Sequence, residues 1–188
     1  MQVVLPKLQY RRAEAGGMAL RPPTLDGQRI GFIDGWGHKE ADGKTTMYPL
    51  MAAYRERLKK RYEIPSFKWL LKPTVSKPLD DDTLDRFLAD VDVVINGEAI
   101  CGSCTYSAIF DGVEIEKRGK PSVTIAHDGF RAVAGMHAKM MGMPSLSIII
   151  EPQPDSNIIG NDISAVADAT FEDLIRGLTS SALREAAE

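Results

Sequence analysis

The chain has 188 residues, of which 44% are hydrophobic and 26% are charged, and its 23 basic and 26 acidic side chains give a net charge of −3. These values are typical of one globular domain with its own core, and they favour neither a nucleic-acid partner nor an anionic membrane surface. The apolar runs have the length of strands and the N-terminus lacks a signal-peptide pattern, so we predict no membrane partner and a cytoplasmic location.

Strand-like and helix-like segments alternate along the chain. Residues 1–28 contain glycine and proline pairs with little periodicity, and we predict an extended N-terminal arm, for which packing on a neighbouring subunit is one role. A polar, glycine-rich loop is predicted over 35–45. The remaining segments are apolar runs of strand length and stretches with helical spacing. The predicted strands are 29–34, 67–71, 91–95, 121–126 and 146–150, and the predicted helices are 47–58, 84–88, 105–117, 130–141 and 168–183.

This alternation indicates right-handed βαβ units and a parallel sheet. We predict that residues 29–188 form a single three-layer α/β domain with a central, mostly parallel five-stranded sheet, Rossmann-like or flavodoxin-like. Ligands of such sheets bind beyond the carboxyl ends of the strands. The functional site is therefore expected in the loops that follow the strands.

The strongest chemical signal is Cys101-Gly102-Ser103-Cys104, which contains both cysteines of the chain. It lies between a predicted strand and a predicted helix, where the N–H groups of a helix N-terminus favour a thiolate. We predict that Cys101 is a nucleophile and that Cys104 resolves or supports it. The backbone around Gly102, Ser103 and Thr105 is predicted to bind substrate and to stabilise developing negative charge.

Two other interpretations of the cysteine pair stay open at this point. The two side chains are also typical of small buried hydrophobes at a tight turn. A structural zinc site needs about four ligands, and besides the cysteines the chain offers only three histidines, namely His38, His127 and His137. No cofactor is predicted.

Two further residues are candidates for moving a proton. His127 follows the fourth predicted strand, on the same sheet edge as Cys101, and a cysteine–histidine pair is a recurrent way of activating a nucleophile. The alternative is a loop histidine that caps the next helix. Glu98 precedes Cys101 by three residues and is predicted to act as a general acid or base, the alternative being a solvated carboxylate.

Asp34 and Lys44 are the remaining candidates for substrate binding. Asp34 ends the first predicted strand, where functional carboxylates are common in α/β folds, although a turn at Gly35 explains it equally well. Gly43-Lys44-Thr45 lacks the spacing of a phosphate-binding P-loop. Lys44 and Thr45, read as a helix N-terminus, would still suit a carboxylate or phosphate of a small substrate.

The stretch from Asp92-Val93-Val94-Ile95 through Cys101-Gly102-Ser103-Cys104-Thr105 to Gly119-Lys120-Pro121-Ser122-Val123 resembles the UGSC (seleno)protein family. It also resembles, more weakly, the selenoprotein subunits of glycine and betaine reductases. The resemblance implies that Cys101 stands where some members carry selenocysteine, the attacking residue. Family members often show Pro-His-Pro after the last strand; this chain has Pro152-Gln153-Pro154, so the resemblance places Gln153 at the substrate and puts the conservation of the chemistry in doubt.

Together these features predict a cysteine-dependent enzyme, an oxidoreductase, lyase or hydrolase, that acts on a small organic substrate. One alternative is a partner-dependent subunit of a hetero-oligomeric, reductase-like complex that has no turnover alone. Another is a metal site at Cys101 and Cys104. A homo- or hetero-oligomer is expected in either functional class.

Overall fold

The computed structural model describes residues 17–152 and 162–180. Its elements alternate as the sequence pattern predicts. The seven strands are β1 (Ile30–Asp34), β2 (His38–Lys39), β3 (Thr45–Thr46), β4 (Phe67–Leu71), β5 (Val93–Ala99), β6 (Ser122–His127) and β7 (Ile148–Glu151). The five α-helices are α1 (Pro49–Arg61), α2 (Asp81–Leu88), α3 (Gly102–Lys117), α4 (Arg131–Met140) and α5 (Ile163–Leu178), and a short 3-10 helix (Asp128–Phe130) precedes α4.

One sheet of five strands forms the centre of the fold, in the order β4-β1-β5-β6-β7. Each pair of neighbouring strands is parallel. If only these five strands are counted along the chain, the order is 2-1-3-4-5, which is the flavodoxin-like, doubly wound order. The predicted α/β class and the mostly parallel sheet are confirmed.

Helices cover both faces of the sheet, which makes three layers. Helices α1 and α5 pack on one face, against a core that includes Phe32 of β1 and Ile95 of β5. Helices α2, α3 and α4 pack on the other face. A side chain at Gly112 of α3 would meet the Thr124 hydroxyl, so this glycine lets the helix that follows the cysteines lie close to β6.

The strand order reverses between β1 and β5, and this switch point positions the site. Asp34, the last residue of β1, is the register partner of Gly97 in β5. The chain leaves β1 toward α1 and leaves β5 toward α3, and these helices cover opposite faces. A crevice at such a point is the usual ligand site of open parallel sheets.

Three boundaries differ from the prediction. The helix after the cysteines begins at Gly102, three residues before the predicted start. The last helix spans Ile163–Leu178 because Asp162 caps it, its carboxylate accepting the N–H groups of Ser164 and Ala165. The glycine-rich loop 35–45 contains most of a small antiparallel hairpin formed by β2 and β3.

The described part of the predicted arm packs on its own chain. Arg21 forms a buried ion pair with Glu116 at the end of α3, at 2.7 Å. The Glu116 carboxylate also accepts the N–H groups of Ala19 and Ser122. Leu25 is fully buried in the core. Residues 1–16 lie outside the described part of the chain.

Candidate active site

Cys101 is the N-cap residue of α3, a helix of 16 residues. Its backbone is extended and its sulfur accepts a hydrogen bond from the N–H of Cys104 at 3.2 Å. An N-cap acceptor satisfies one of the N–H groups that a helix start leaves free. A sulfur in this position is stabilised as a thiolate by that hydrogen bond and by the helix dipole.

Cys104 lies in the first turn of α3 and is 1% exposed, whereas Cys101 is half-buried. The two Cα atoms are 5.3 Å apart and the two sulfurs lie at disulfide distance. The Cys104 sulfur is also 3.0 Å from the backbone oxygen of Cys101, to which a thiol would donate. The separation of the two Cα atoms lies within the range that disulfides span.

The residues between and after the cysteines differ in exposure. Gly102 and Ser103 are exposed at the start of the helix. The Ser103 hydroxyl lies 3.8 Å from the sulfur of Cys101. Thr105 is buried, and both its hydroxyl and its N–H donate to the backbone oxygen of Cys101, at 2.5 and 2.9 Å. Thr105 thus fixes the turn, while Gly102 and Ser103 are the groups that face solvent.

Asp34 organises the loop that follows β1. It is fully buried. One carboxylate oxygen accepts the N–H groups of Trp36 and Gly37 at 2.9 and 2.8 Å. The other accepts the N–H of Tyr48 at 2.8 Å and the indole N–H of Trp69 at 3.1 Å. Asp34 therefore ties this loop and the start of α1 to the sheet, and its predicted contact with substrate stays a prediction.

Glu98 lies in an irregular part of β5. Asn96 pairs with Thr124 and Ala99 pairs with Ala126, so β5 has one extra residue between these pairs. Such a bulge redirects side chains. Glu98 is 1% exposed, and apart from the nearby Tyr48 hydroxyl its carboxyl oxygens have no hydrogen-bond partner among the described residues. The interpretation as a solvated carboxylate is wrong.

The surroundings of Glu98 favour its neutral form. Burial, followed by the charge of Glu151 and then that of Asp34, raises the pKa of Glu98 well above its usual range, and the nearby Tyr48 hydroxyl offsets part of this rise. Burial also raises the pKa of Glu151. Burial and the charges of both glutamates raise the pKa of Tyr48. A buried carboxyl whose pKa is raised favours its protonated form, which suits a general acid.

His127 ends β6 and is buried, at 9% exposure. Its Nδ1 accepts the N–H of Gly129 at 3.3 Å, which assigns the proton of the neutral ring to Nε2. Nε2 is buried and has no partner in the described part of the chain. Burial lowers the pKa of His127 against the opposing effect of Asp128. The histidine thus does cap the following turn, as the alternative proposed, and it also keeps a free N–H donor.

The register of the sheet brings the ends of β5, β6 and β7 to one edge. His127 is the register partner of Glu151. Cys101 follows the end of β5 by two residues. Neither ring nitrogen of His127 hydrogen-bonds to a sulfur among the described residues, so the predicted proton transfer between His127 and Cys101 stays a prediction.

Lys44 lies in the loop region that follows β1 but not at a helix start, and its predicted contact with substrate stays a prediction. It is exposed in the turn of the β2–β3 hairpin, where its N–H donates to the carboxylate of Asp42 at 2.9 Å. The next helix, α1, begins only at Pro49, so the interpretation of Lys44 and Thr45 as a helix N-terminus is wrong. Gln153 lies outside the described residues.

A buried ion pair beside α3 was not predicted from the sequence. The Lys72 ammonium group, just after β4, pairs with the Asp111 carboxylate and donates to the Ser107 hydroxyl at 2.6 Å. The Asp111 carboxylate also accepts the N–H of Leu79 at 2.8 Å. Ser107 lies three residues after Cys104, so this pair anchors the first turns of α3. Tyr48 and Glu151 were also not predicted as site residues. The signal for Glu151 is its position at the carboxyl end of a strand.

Within residues 17–152 and 162–180, no three His, Cys, Asp or Glu side chains are grouped so as to hold a metal ion. The metal alternative thus has only the two cysteines as ligands in the described part of the chain. The same residues contain no helix that has the length and apolar character needed to cross a membrane.

The sequence of the chain was compared with those of known protein families, and one family matches it. Residues 2–180 match the UGSC family. No protein with a curated description matches the chain at a significant level. The weaker likeness to the glycine and betaine reductase subunits stays a prediction.

Proposed function

The chain belongs to the UGSC family, and from this premise and the geometry of the cysteine pair we propose that it is a cysteine-dependent enzyme acting on a small organic substrate. The observation that carries the proposal is the position of the Cys101 sulfur. It caps α3 and accepts the Cys104 N–H, at the switch point of a doubly wound sheet. A half-buried thiolate at such a place is accessible to a small electrophile.

The first chemical step is attack by the Cys101 thiolate on an electrophilic atom of the substrate. A bond forms between the sulfur and that atom, and the leaving group departs with its electron pair. Glu98, whose protonated form burial favours, donates a proton to the leaving group, or His127 does so from Nε2. The exposed N–H groups of Gly102 and Ser103 stabilise the negative charge that develops.

Two routes complete the reaction. In a redox-neutral route, water displaces the cysteine and the thiolate is regenerated. In a reductive route, the Cys104 thiolate attacks the Cys101 sulfur, and the substrate fragment leaves with the bonding electron pair and takes up a proton. The two sulfurs are then oxidised to a disulfide, which an external dithiol must reduce. A reducing cytoplasm is the compartment we propose, because it keeps the pair reduced.

Alkylation of the reduced protein with iodoacetamide across a range of pH tests the proposal. We expect Cys101 to react with an apparent pKa at least about one unit below the free-thiol value of about 8.5. The Cys101→Ser variant should lose the fast phase, and Cys104→Ser should retain it. An apparent pKa near that of a free thiol would rule out the activated nucleophile.

The exposed face of α3 and α4 favours a second candidate, a subunit that works only with a partner. Tyr106 of α3 and Met136 and Met140 of α4 are exposed large hydrophobic side chains, and contiguous exposed apolar groups are typical of protein contacts. Turnover by the purified chain alone would rule this candidate out. Size-exclusion chromatography of the same sample would report a homo-oligomer.

A further inference from the structure

Trp36 joins the loop that follows β1 to the last residues of β5. Its indole N–H donates to the backbone oxygen of Glu98 at 3.0 Å. The neighbouring N–H of Gly35 donates to the backbone oxygen of Gly97 at 2.9 Å. Since the strand order reverses between β1 and β5, these two hydrogen bonds lie at the switch point, where ligands of parallel sheets bind.

The contact with Glu98 places Trp36 near the reactive cysteine. Glu98 precedes Cys101 by three residues, and three residues of chain span at most about 11 Å. Cys101 is half-buried and its sulfur caps α3. The indole ring is therefore close enough to contact a substituent of a small substrate that is bound to this sulfur.

The ring of Trp36 is held in place and is still exposed. The backbone N–H of Trp36 donates to the Asp34 carboxylate at 2.9 Å, and the bond to Glu98 fixes the indole end. The residue is nevertheless 40% exposed. A tryptophan that is oriented in advance offers a large flat apolar surface at a low cost in conformational entropy. Such a surface suits a planar group of a ligand.

Two other aromatic side chains of the described residues are exposed, but their settings differ. Trp69 is 38% exposed, and its indole N–H donates to the carboxylate of Asp34. It belongs to β4, which lies on the opposite side of β1 from β5. Tyr106 of α3 packs edge-on against the ring of His137, at 5.5 Å between centroids. Of the three, Trp36 is the one whose side chain hydrogen-bonds to the strand that leads to Cys101.

The charge at the start of α3 favours an uncharged planar group. The face of an indole also attracts cations. However, the first turn of α3 contains no acidic residue, and the dipole of this helix presents its positive end there. A neutral aromatic ring stacks on an indole without that repulsion.

We propose that Trp36 is a specificity-determining residue, which stacks on a planar, uncharged aromatic or conjugated group of the substrate while Cys101 attacks. The inference deepens the proposed function, on which it rests for the role of Cys101. It assigns the substrate to a class, namely a small electrophile with a planar ring close to the atom that is attacked. An aliphatic electrophile of the same reactivity is a poorer substrate, because it gains no stacking.

The test compares alkylation of Cys101 by iodoacetanilide, which carries a phenyl ring, with alkylation by iodoacetamide, which has none. Both rates are measured on the reduced whole chain by mass spectrometry of the peptide that contains Cys101. The ratio of the two rates is divided by the same ratio for glutathione, which removes the difference in intrinsic reactivity. We expect a normalised ratio of about three to ten for the unmodified chain and of about one for Trp36→Leu.

Trp69→Leu is the matched control, because it removes an indole of similar exposure that bonds to the same carboxylate. We expect it to leave the normalised ratio unchanged. Trp36→Phe keeps a ring but lacks the indole N–H, and it should retain most of the ratio. A purely structural role of Trp36 would change both alkylation rates by the same factor, so it would not alter the ratio.

An unchanged ratio in Trp36→Leu would overturn the inference, as would equal decreases in Trp36→Leu and Trp69→Leu. A dependence on Trp36 that is larger for bromocholine, a quaternary ammonium reagent, than for iodoacetanilide would also overturn it, since the ligand group would then be a cation. If Trp36→Leu does not fold, the unmodified chain decides the matter: no preference for iodoacetanilide beyond that of glutathione overturns the inference.

Failure of this inference is distinguishable from failure of the proposed function. A Cys101 with the apparent pKa of a free thiol would overturn the proposed function, but it would still be alkylated and would still report the ratio. An activated Cys101 whose ratio does not depend on Trp36 would overturn the stacking role and leave the proposed function standing.

Discussion

The sulfur of Cys101 accepts the N–H of Cys104 at 3.2 Å, and the sulfur of Cys104 lies at disulfide distance from it. One residue of the pair is therefore a helix cap and the other is part of the first helical turn. The same short segment stabilises a thiolate on Cys101 and holds a second sulfur ready to react with it. Both states use the same backbone, since the N-cap conformation fixes the separation of the two residues.

Oxidation should link the two cysteines within one chain. Their Cα atoms are 5.3 Å apart, within the range of about 4.4–6.8 Å that disulfides span. We expect mild oxidation with diamide to remove both free thiols in a thiol titration, with no covalent dimer on a non-reducing gel. Cys104→Ser should keep Cys101 available for a mixed disulfide with glutathione. Covalent dimers of the unmodified chain would contradict the prediction.

Replacing Glu98 by methionine should stabilise the protein. The carboxyl is 1% exposed and, beyond the nearby Tyr48 hydroxyl, has no hydrogen-bond partner in the described residues, and a buried polar group whose hydrogen bonds are not satisfied costs about 1–3 kcal/mol. We expect Glu98→Met to raise the free energy of unfolding in urea by about that amount, at the expense of the proposed chemistry.

Glu116→Met is the matched control for this change, because Glu116 is as deeply buried, at 2% exposure, yet fully bonded. Its loss leaves the Arg21 guanidinium without a carboxylate partner and the N–H of Ser122 without its acceptor. We expect a decrease in the free energy of unfolding of about 3–5 kcal/mol. If Glu98→Met and Glu116→Met change the free energy of unfolding equally, the hydrogen-bond partners of the buried carboxyl do not determine the effect of removing it.

The destabilising effect of Glu98 should increase as the pH rises. Its pKa is raised in the folded protein, whereas in the unfolded chain a glutamate titrates near pH 4.3. Between these two pKa values the folded protein holds a proton that the unfolded chain has lost, so the folded state loses stability as the pH increases through this window. We therefore expect the stability advantage of Glu98→Met over the unmodified chain to grow from about pH 5 to pH 8.

Urea unfolding of both proteins across this range measures the difference. The lowered pKa of His127 acts in the other direction: the unfolded chain binds a proton below about pH 6.5 that the folded protein excludes, so stability falls as the pH decreases. Because both proteins retain His127, this contribution largely cancels in the comparison. A constant difference between the two curves would contradict the raised pKa of Glu98.

The central strands could be predicted from the sequence because their apolar runs are continuous, and the position of Cys101 followed from the strand and helix around it. The sequence pattern predicts the start of α3 three residues too late, because Gly102 and Ser103 have low helix propensity. The hairpin was missed because its strands have two residues each, which is too short for a periodic pattern.

The side chains around Glu98 required the structure for a different reason. Glu98 belongs with Glu151 only because a bulge turns it and because β7 pairs with β6 in a particular register. Register between strands that are distant along the chain depends on tertiary packing. The interpretation of Glu98 as a solvated carboxylate failed because no local pattern reports its burial.

The buried pair of Lys72 and Asp111 should hold the cysteine helix in place. The side chains are 3% and 1% exposed, and the ammonium group also donates to Ser107, one turn after Cys104. Lys72→Met leaves the Asp111 carboxylate unpaired, so we expect a loss of about 3–5 kcal/mol in the free energy of unfolding. The double variant Lys72→Met, Asp111→Leu should be less destabilised than the single variant, because it buries no unpaired charge.

Both variants lack the ion pair that anchors the first turns of α3. The rate of Cys101 alkylation should therefore change in both variants, even where the double variant recovers stability. A double variant less stable than Lys72→Met, or alkylation unchanged in both, would show that the pair does not support the start of α3.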